Sequence, residues 1–179
     1  MDNTVKQYNG LSKALHWLSA LTVFGLFGVG YWMVDLTYYS EWYKTAPHWH
    51  KSIGLLLAFA TIFRLVWKKM KPQPEIEGKP YEVMAAKLAH TLLYLLLFGL
   101  FVSGYMISTA DGRGIEVFNW FTIPGFGSLV ENQEDIAGEI HYYLAYTVMG
   151  LSLLHALAAL KHHFINKDDT LKKMIGVKG

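Results

Sequence analysis

Four apolar segments of membrane-spanning length dominate this 179-residue chain. They cover roughly residues 14–34, 48–67, 87–107 and 139–160, and a helix needs about 20 mostly apolar residues to cross the hydrocarbon core of a bilayer. The first segment is longer than the core of a signal peptide, so we expect it to be retained. The sequence therefore predicts an all-α fold, an integral membrane four-helix bundle formed as a single domain over residues 1–179.

Positive charge is concentrated on one side of the predicted bundle. With four spans, both termini and the connection after the second span share a face. That face holds most of the 16 Lys and Arg residues: Lys6, Lys13, Arg64, Lys68, Lys69, Lys71, Lys79, Lys87, Lys161, Lys167, Lys172, Lys173 and Lys178. The opposite face holds only Lys44, Lys51 and Arg113.

The positive-inside rule predicts that both termini and the tail 161–179 lie in the cytoplasm. The connections 35–47 and 108–138 then face outward. The lipid bilayer is the predicted environment. The net charge of +2 is small, and we predict no nucleic-acid partner.

Five histidines fall inside the predicted spans or at their ends: His16, His50, His90, His141 and His155. Polar groups are costly in lipid, so intramembrane imidazoles indicate function. His141 and His155 are fourteen residues apart, which returns to nearly the same helix face about 21 Å further along. One helix thus offers an imidazole near each membrane surface, as two stacked flat cofactors would require.

Topology supplies a second imidazole at each depth. His16 opens the first span on the inner side, level with His155, and His50 opens the second span on the outer side, level with His141. Two bis-imidazole sites in a four-helix bundle are typical of haem. A zinc site would need three or four clustered ligands, whereas the chain has no cysteine and no acidic residue in the middle of a span.

Glycines in the spans leave room beside the backbone, either for a macrocycle or for ordinary helix packing. They are Gly25, Gly28, Gly30, Gly54, Gly99, Gly104 and Gly150. Gly150 lies midway between the two histidines of the fourth span, which favours a haem contact there.

The outer loop 108–138 contains the aromatic stretch IEVFNWF. This stretch either lies in the membrane interface or caps the bundle. The acidic stretch ENQED at 131–135 either docks a periplasmic partner or is a solvated loop.

The chain resembles the bacterial cytochrome b561 family, four-helix membrane cytochromes with two haems. The resemblance covers nearly the whole length and is carried by four motifs: ALHWLSA at 14–20, APHWHKSIG at 46–54, LAHTLLYLLLFGLFVSGY at 88–105 and LHALAALKHHFINKDDTLKKM at 154–174. It implies two haem b groups, a location in the bacterial inner (plasma) membrane, and axial ligands at His16, His50, His141 and His155. It also implies electron exchange with ubiquinone, and some relatives oxidise superoxide.

Other residues are assigned by their chemistry and position. Haem propionates attract cations, which makes Lys51 the outer candidate and Arg64 the inner one. His90 lies at the depth of His155, and we assign it a role beside the haem or at a quinone pocket, ahead of a structural hydrogen bond or a ligand role. His48 competes with the deeper His50. Ser103 and Ser152 are candidate partners for the outer ring nitrogens of the ligands.

Three functions stay open from the sequence alone. The first is a quinone-linked oxidoreductase that turns over without help, including a superoxide:ubiquinone oxidoreductase. The second is a passive electron-relay cytochrome b subunit for a dehydrogenase, a hydrogenase or a periplasmic partner. The third is a membrane protein without haem, such as a metal transporter. The direction of electron flow and the oligomeric state, a homodimer among the options, are not fixed by the sequence.

Overall fold

The computed structural model describes residues 7–176, and its main elements are four long helices. They are α1 (Gly10–Met33), α2 (Thr45–Met70), α3 (Pro80–Thr109) and α4 (Gln133–Lys161). A hairpin of β1 (Ile115–Val117) and β2 (Phe121–Ile123) lies between α3 and α4, and a π-helical turn (His162–Asn166) and the short α5 (Thr170–Ile175) follow α4. The most extensive helix contacts join α3 to α4 and α1 to α2.

Three helical segments among the described residues are long and apolar enough to cross a membrane: Gly10–Met33, Pro80–Thr109 and Gln133–Asn166. Their apolar side chains point away from the protein, as Leu18, Leu21 and Leu95 illustrate with exposed fractions of 63%, 69% and 62%. A water-soluble protein does not tolerate such continuous apolar surface. The prediction of a helical membrane bundle is therefore confirmed. The helix α2 is 26 residues long, but it is not one of the three segments that are both long enough and apolar enough to cross a membrane.

The helices begin earlier than the apolar segments indicated. Pro80 opens α3 seven residues before the predicted start at 87, and the Lys79 N–H donates to the Glu82 side chain at 2.9 Å. Gln133 opens α4 six residues before 139, and its buried amide accepts from the Leu129 N–H and donates to the Met106 carbonyl. The apolar count detects only the part of a helix that faces lipid, so polar first turns escape it.

The outer loop holds a two-stranded antiparallel hairpin with Val117 opposite Phe121. Ile115 and Val117 are 3% and 0% exposed, and β1 packs against α2. The inward face of the hairpin thus caps α2, while Trp120 at its tip is 72% exposed. The predicted connection 108–138 therefore contains regular structure, and α4 begins inside it.

The segment after α4 folds back onto the end of the bundle that the sequence predicts to face the cytoplasm, here called the inner end. The Trp17 indole N–H of α1 donates to the Met174 carbonyl at 3.3 Å, and Lys173 forms an ion pair with Glu77 at 2.6 Å. Burial raises the pKa of Asp168, but hydrogen bonds from His162 and Thr170 outweigh this and lower it. The predicted tail at 161–179 is thus ordered as far as residue 176, and residues 1–6 and 177–179, including Lys6 and Lys178, lie outside the described residues.

Candidate functional site

At the inner end of the bundle the structure brings three imidazoles together from three helices. His16 of α1 and His155 of α4 have ring centres 6.3 Å apart, with ring planes at 66°. His90 of α3 lies closer to His155, with ring centres 5.1 Å apart. The sequence placed all three at this depth.

At the outer end His50 of α2 faces His141 of α4. Their ring centres are also 6.3 Å apart, with ring planes at 67°, so the two pairs have nearly the same geometry. His48 packs edge-on against Phe118 of the hairpin instead, at 6.3 Å. Of the two competing histidines of α2, His50 is therefore the one that faces His141.

A hydroxyl on α3 is hydrogen-bonded to His141. Ser103 Oγ lies 2.8 Å from the Gly99 carbonyl, to which it donates, and 3.0 Å from His141 Nδ1. In the tautomer that carries its proton on Nδ1, His141 donates to the Ser103 oxygen. His141 Nε2 then carries a free lone pair, the form that a metal ligand needs.

His50 has no such partner. Its Nδ1 atom is buried without a hydrogen-bonding group in the described part of the chain. A methyl group built on Gly30 of α1 would lie 3.1 Å from His50 Cε1 and 3.7 Å from His50 Nδ1. The ring therefore stands directly against the α1 backbone.

Arg64 of α2 brings positive charge to the inner imidazoles. Its Nη2 atom is 3.0 Å from His16 Nδ1, and its Cζ atom is 5.7 Å from the centre of the Tyr94 ring. Lys68 Nζ is 5.9 Å from the same ring. Two cations therefore flank one aromatic ring beside the inner pair.

The sequence analysis did not single out Tyr94. The available signal was its spacing, because Tyr94 follows His90 by four residues on α3 and such residues share a helix face.

Lys51, the outer cation next to His50, is half-buried. Hydrogen bonds from Arg113 lower the pKa of Asp111, and the charge of Lys51 contributes to the same shift. Lys51 therefore lies close enough to Asp111, at the start of the outer loop, for its charge to help lower the pKa of that carboxyl.

Comparison with known proteins identifies the family. The family model described as prokaryotic cytochrome b561 matches residues 7–177. The chain belongs to the prokaryotic cytochrome b561 family. It is 49% identical over 176 residues to cytochrome b561 homolog 2 of Escherichia coli (strain K12), covering 97% of this chain and 94% of the relative.

Two other relatives of this cytochrome b561 are more distant. The probable superoxide oxidase CybB of Yersinia pestis is 29% identical over 190 residues, covering 97% of this chain and 98% of the relative. Cytochrome b561 homolog 1 of Escherichia coli (strain K12) is 28% identical over 173 residues, covering 90% and 92%.

Membership of the cytochrome b561 family makes this chain a membrane electron-transfer protein and implies that it binds b-type haem. The described residues fit that cofactor, because they offer imidazoles in pairs. Within residues 7–176, no group of three or more His, Asp or Glu side chains is arranged to hold a metal ion. Haem needs only two protein ligands for each iron, which matches the donors that the site provides.

Proposed function

We propose that this protein is a transmembrane dihaem cytochrome b in which His16 and His155 hold the inner haem and His50 and His141 hold the outer one. The observation that carries the proposal is the pair of equal ring-centre distances, 6.3 Å at each end of α4. In this proposal α2 also crosses the membrane, and residues 1–179 form one four-helix membrane domain.

The spacing of the rings supports binding of one haem iron by each pair. Two imidazoles that would bind the same iron, at metal–nitrogen distances of about 2 Å, would have ring centres up to about 6 Å apart. Both proposed pairs match this value. His90 and His155, at 5.1 Å, are closer than this, which supports a role for His90 beside the haem or at a quinone site.

Haem supplies one-electron redox chemistry, and two imidazole ligands per iron favour electron transfer over oxygen binding. The protein residues orient the ligands and compensate charge. Ligation through His16 Nε2 requires the proton on His16 Nδ1, so Arg64 must then donate to another acceptor. A propionate carboxylate is an acceptor that suits a guanidinium, and Lys51 offers the corresponding charge at the outer end.

We further propose that the protein exchanges electrons with ubiquinone or ubiquinol in the bacterial inner membrane. The Yersinia pestis relative is named a probable superoxide oxidase, and this supports superoxide:ubiquinone oxidoreduction as one form of the activity. The charge distribution along the sequence supports cytoplasmic termini.

The direct test is to measure haem content and spectra in purified protein. We expect two b-type haems per chain with low-spin reduced spectra, and loss of one haem in His155→Ala and in His141→Ala. His48→Ala is the matched control, because His48 neighbours the outer pair but packs against Phe118, and it should retain both haems. A protein that takes up no haem in haem-supplied cells would contradict the proposal, and a haem lost from His48→Ala would contradict the outer pair.

Ubiquinol tests the substrate separately. Reduction of the purified protein by ubiquinol without any partner would support an oxidoreductase with its own turnover. Failure of that reduction, in protein with both haems present, would favour a relay subunit for a dehydrogenase, a hydrogenase or a periplasmic partner.

A further inference from the structure

We infer that Gly30 and Gly104 are positioning residues that fix the orientation of the outer imidazole pair. This inference rests on the proposed haem ligation by His50 and His141. A methyl group built on Gly30 would lie 3.1 Å from His50 Cε1, and one built on Gly104 would lie 3.2 Å from His141 Cε1. These distances are shorter than ordinary van der Waals contact, so a side chain at either position would press on the ring.

The two contacts involve the same edge of each ring. The second-nearest atom is Nδ1 in both cases, at 3.7 Å from the Gly30 methyl position and 3.5 Å from the Gly104 position. Each imidazole thus presents its Cε1–Nδ1 edge to a neighbouring helix backbone, α1 for His50 and α3 for His141. Because packed interiors tolerate little displacement, the backbone at each glycine limits how far the ring can rotate.

The two rings differ in their other restraints. Gly104 follows Ser103, whose hydroxyl is hydrogen-bonded to His141 Nδ1, so adjacent residues of α3 hold this ring at two points. His50 Nδ1 has no hydrogen-bond partner among the described residues. The orientation of the His50 ring is therefore restrained by its packing against Gly30.

This arrangement is confined to the outer pair. Across the glycines of residues 7–176, no methyl position comes within 4 Å of His16, His90 or His155. The inner pair is instead approached by the Arg64 guanidinium. The two haem sites would therefore respond differently to changes at glycine.

The test is to replace each glycine with alanine and record the low-spin electron paramagnetic resonance signals and the redox titration of the purified holoprotein. We expect Gly30→Ala and Gly104→Ala each to shift the signal and the potential of one haem and to leave the other haem unchanged. Ser103→Ala identifies the outer haem, because it changes a hydrogen bond of His141 alone.

A control variant separates ring positioning from the general effect of adding a methyl group to a helix. Gly10 opens α1 and is exposed, and a methyl group built on it would have nothing within 4 Å. Gly10→Ala should leave the two haem signals where they are in the unmodified protein.

Several outcomes would overturn the inference. They are unchanged signals in Gly30→Ala and Gly104→Ala, equal shifts of both haems, or the same shift in Gly10→Ala. If the unmodified protein lacks two haems, the proposed function itself fails. If it has both and the glycine variants are unaffected, only this inference fails.

Discussion

At the scale of single residues, the hydroxyl of Ser103 connects the α3 backbone to His141. Its oxygen lies 2.8 Å from the Gly99 carbonyl, to which it donates, and 3.0 Å from His141 Nδ1, so it can accept from Nδ1–H when Nε2 binds a metal. Ser103 is 4% exposed, so water does not readily replace it. The residue combines a local helix hydrogen bond with orientation of a candidate ligand.

Replacing Ser103 with alanine should therefore weaken haem binding at the outer site. Loss of a hydrogen-bond partner behind a metal ligand typically costs about 10- to 100-fold in metal affinity. Haem retention during dilution in detergent measures the effect. Thr147→Ala is the control, since Thr147 makes the same type of bond to the Tyr143 carbonyl without contacting an imidazole. Equal retention in Ser103→Ala and the unmodified protein would contradict the assigned role.

The grouping of the five histidines at the two ends of the bundle could be predicted from the sequence, because the position of each along its helix follows from topology and helical rise. The spacing of His141 and His155 along α4 needs no knowledge of neighbouring helices. The contacts of Gly30 with His50 and of Arg64 with His16 depend instead on how α1 rotates against its neighbours. A single sequence does not specify that rotation, and these contacts therefore required the structure.

At the scale of elements, the outer hairpin is fastened to α2 through one buried side chain. Ser52 is 0% exposed, and its hydroxyl donates to the Glu116 carbonyl at 3.3 Å and accepts from the Phe118 N–H at 3.1 Å. Because Ser52 lies two residues after His50, the hairpin braces the helix turn that carries this imidazole.

We expect Ser52→Ala to loosen the hairpin. A buried backbone group that loses its partner costs about 1–3 kcal/mol, so the free energy of unfolding should fall by that order. Thermal unfolding in detergent, together with protease cleavage at the hairpin, measures the change. Ser128→Ala is the matched control in the same loop, because Ser128 is exposed and water can replace its bond to the Ala110 carbonyl. A comparable loss in both variants would refute the bracing role.

The hairpin was not predictable from its sequence for two reasons. Its strands are three residues long, too short for alternation of polar and apolar residues to stand out. Its turn places Phe118 and Asn119 at φ values of 47° and 60°, and phenylalanine rarely adopts this left-handed conformation. The Phe118 ring packs against Trp49, with centres 5.4 Å apart, a contact that stabilises an otherwise unfavoured turn.

At the scale of the whole molecule, the membrane passage of α2 decides the topology. If α2 crosses the bilayer, the connections on its two sides lie on opposite faces. If it does not, they lie on the same face. The chain contains no cysteine, so single cysteines can report the side directly.

We expect Ser40→Cys and Glu131→Cys to react with a membrane-impermeant thiol reagent in intact spheroplasts. Lys71→Cys and Lys167→Cys should react only after permeabilisation, because cytoplasmic positions are shielded from the reagent. The unmodified protein is the blank. Labelling of both Ser40→Cys and Lys71→Cys from outside would exclude a spanning α2 and the proposed four-helix topology.

The contacts of the segment after α4 also constrain the order in which the molecule can mature. The Trp17 indole, near the start of α1, donates to the Met174 carbonyl, and Glu77, ahead of α3, pairs with Lys173. A ribosome adds Trp17 157 residues before it reaches Met174, so these early segments stay without their partners until translation is almost finished. A nascent or prematurely terminated chain therefore lacks the contacts that hold the start of α1 and the segment before α3 in the finished molecule.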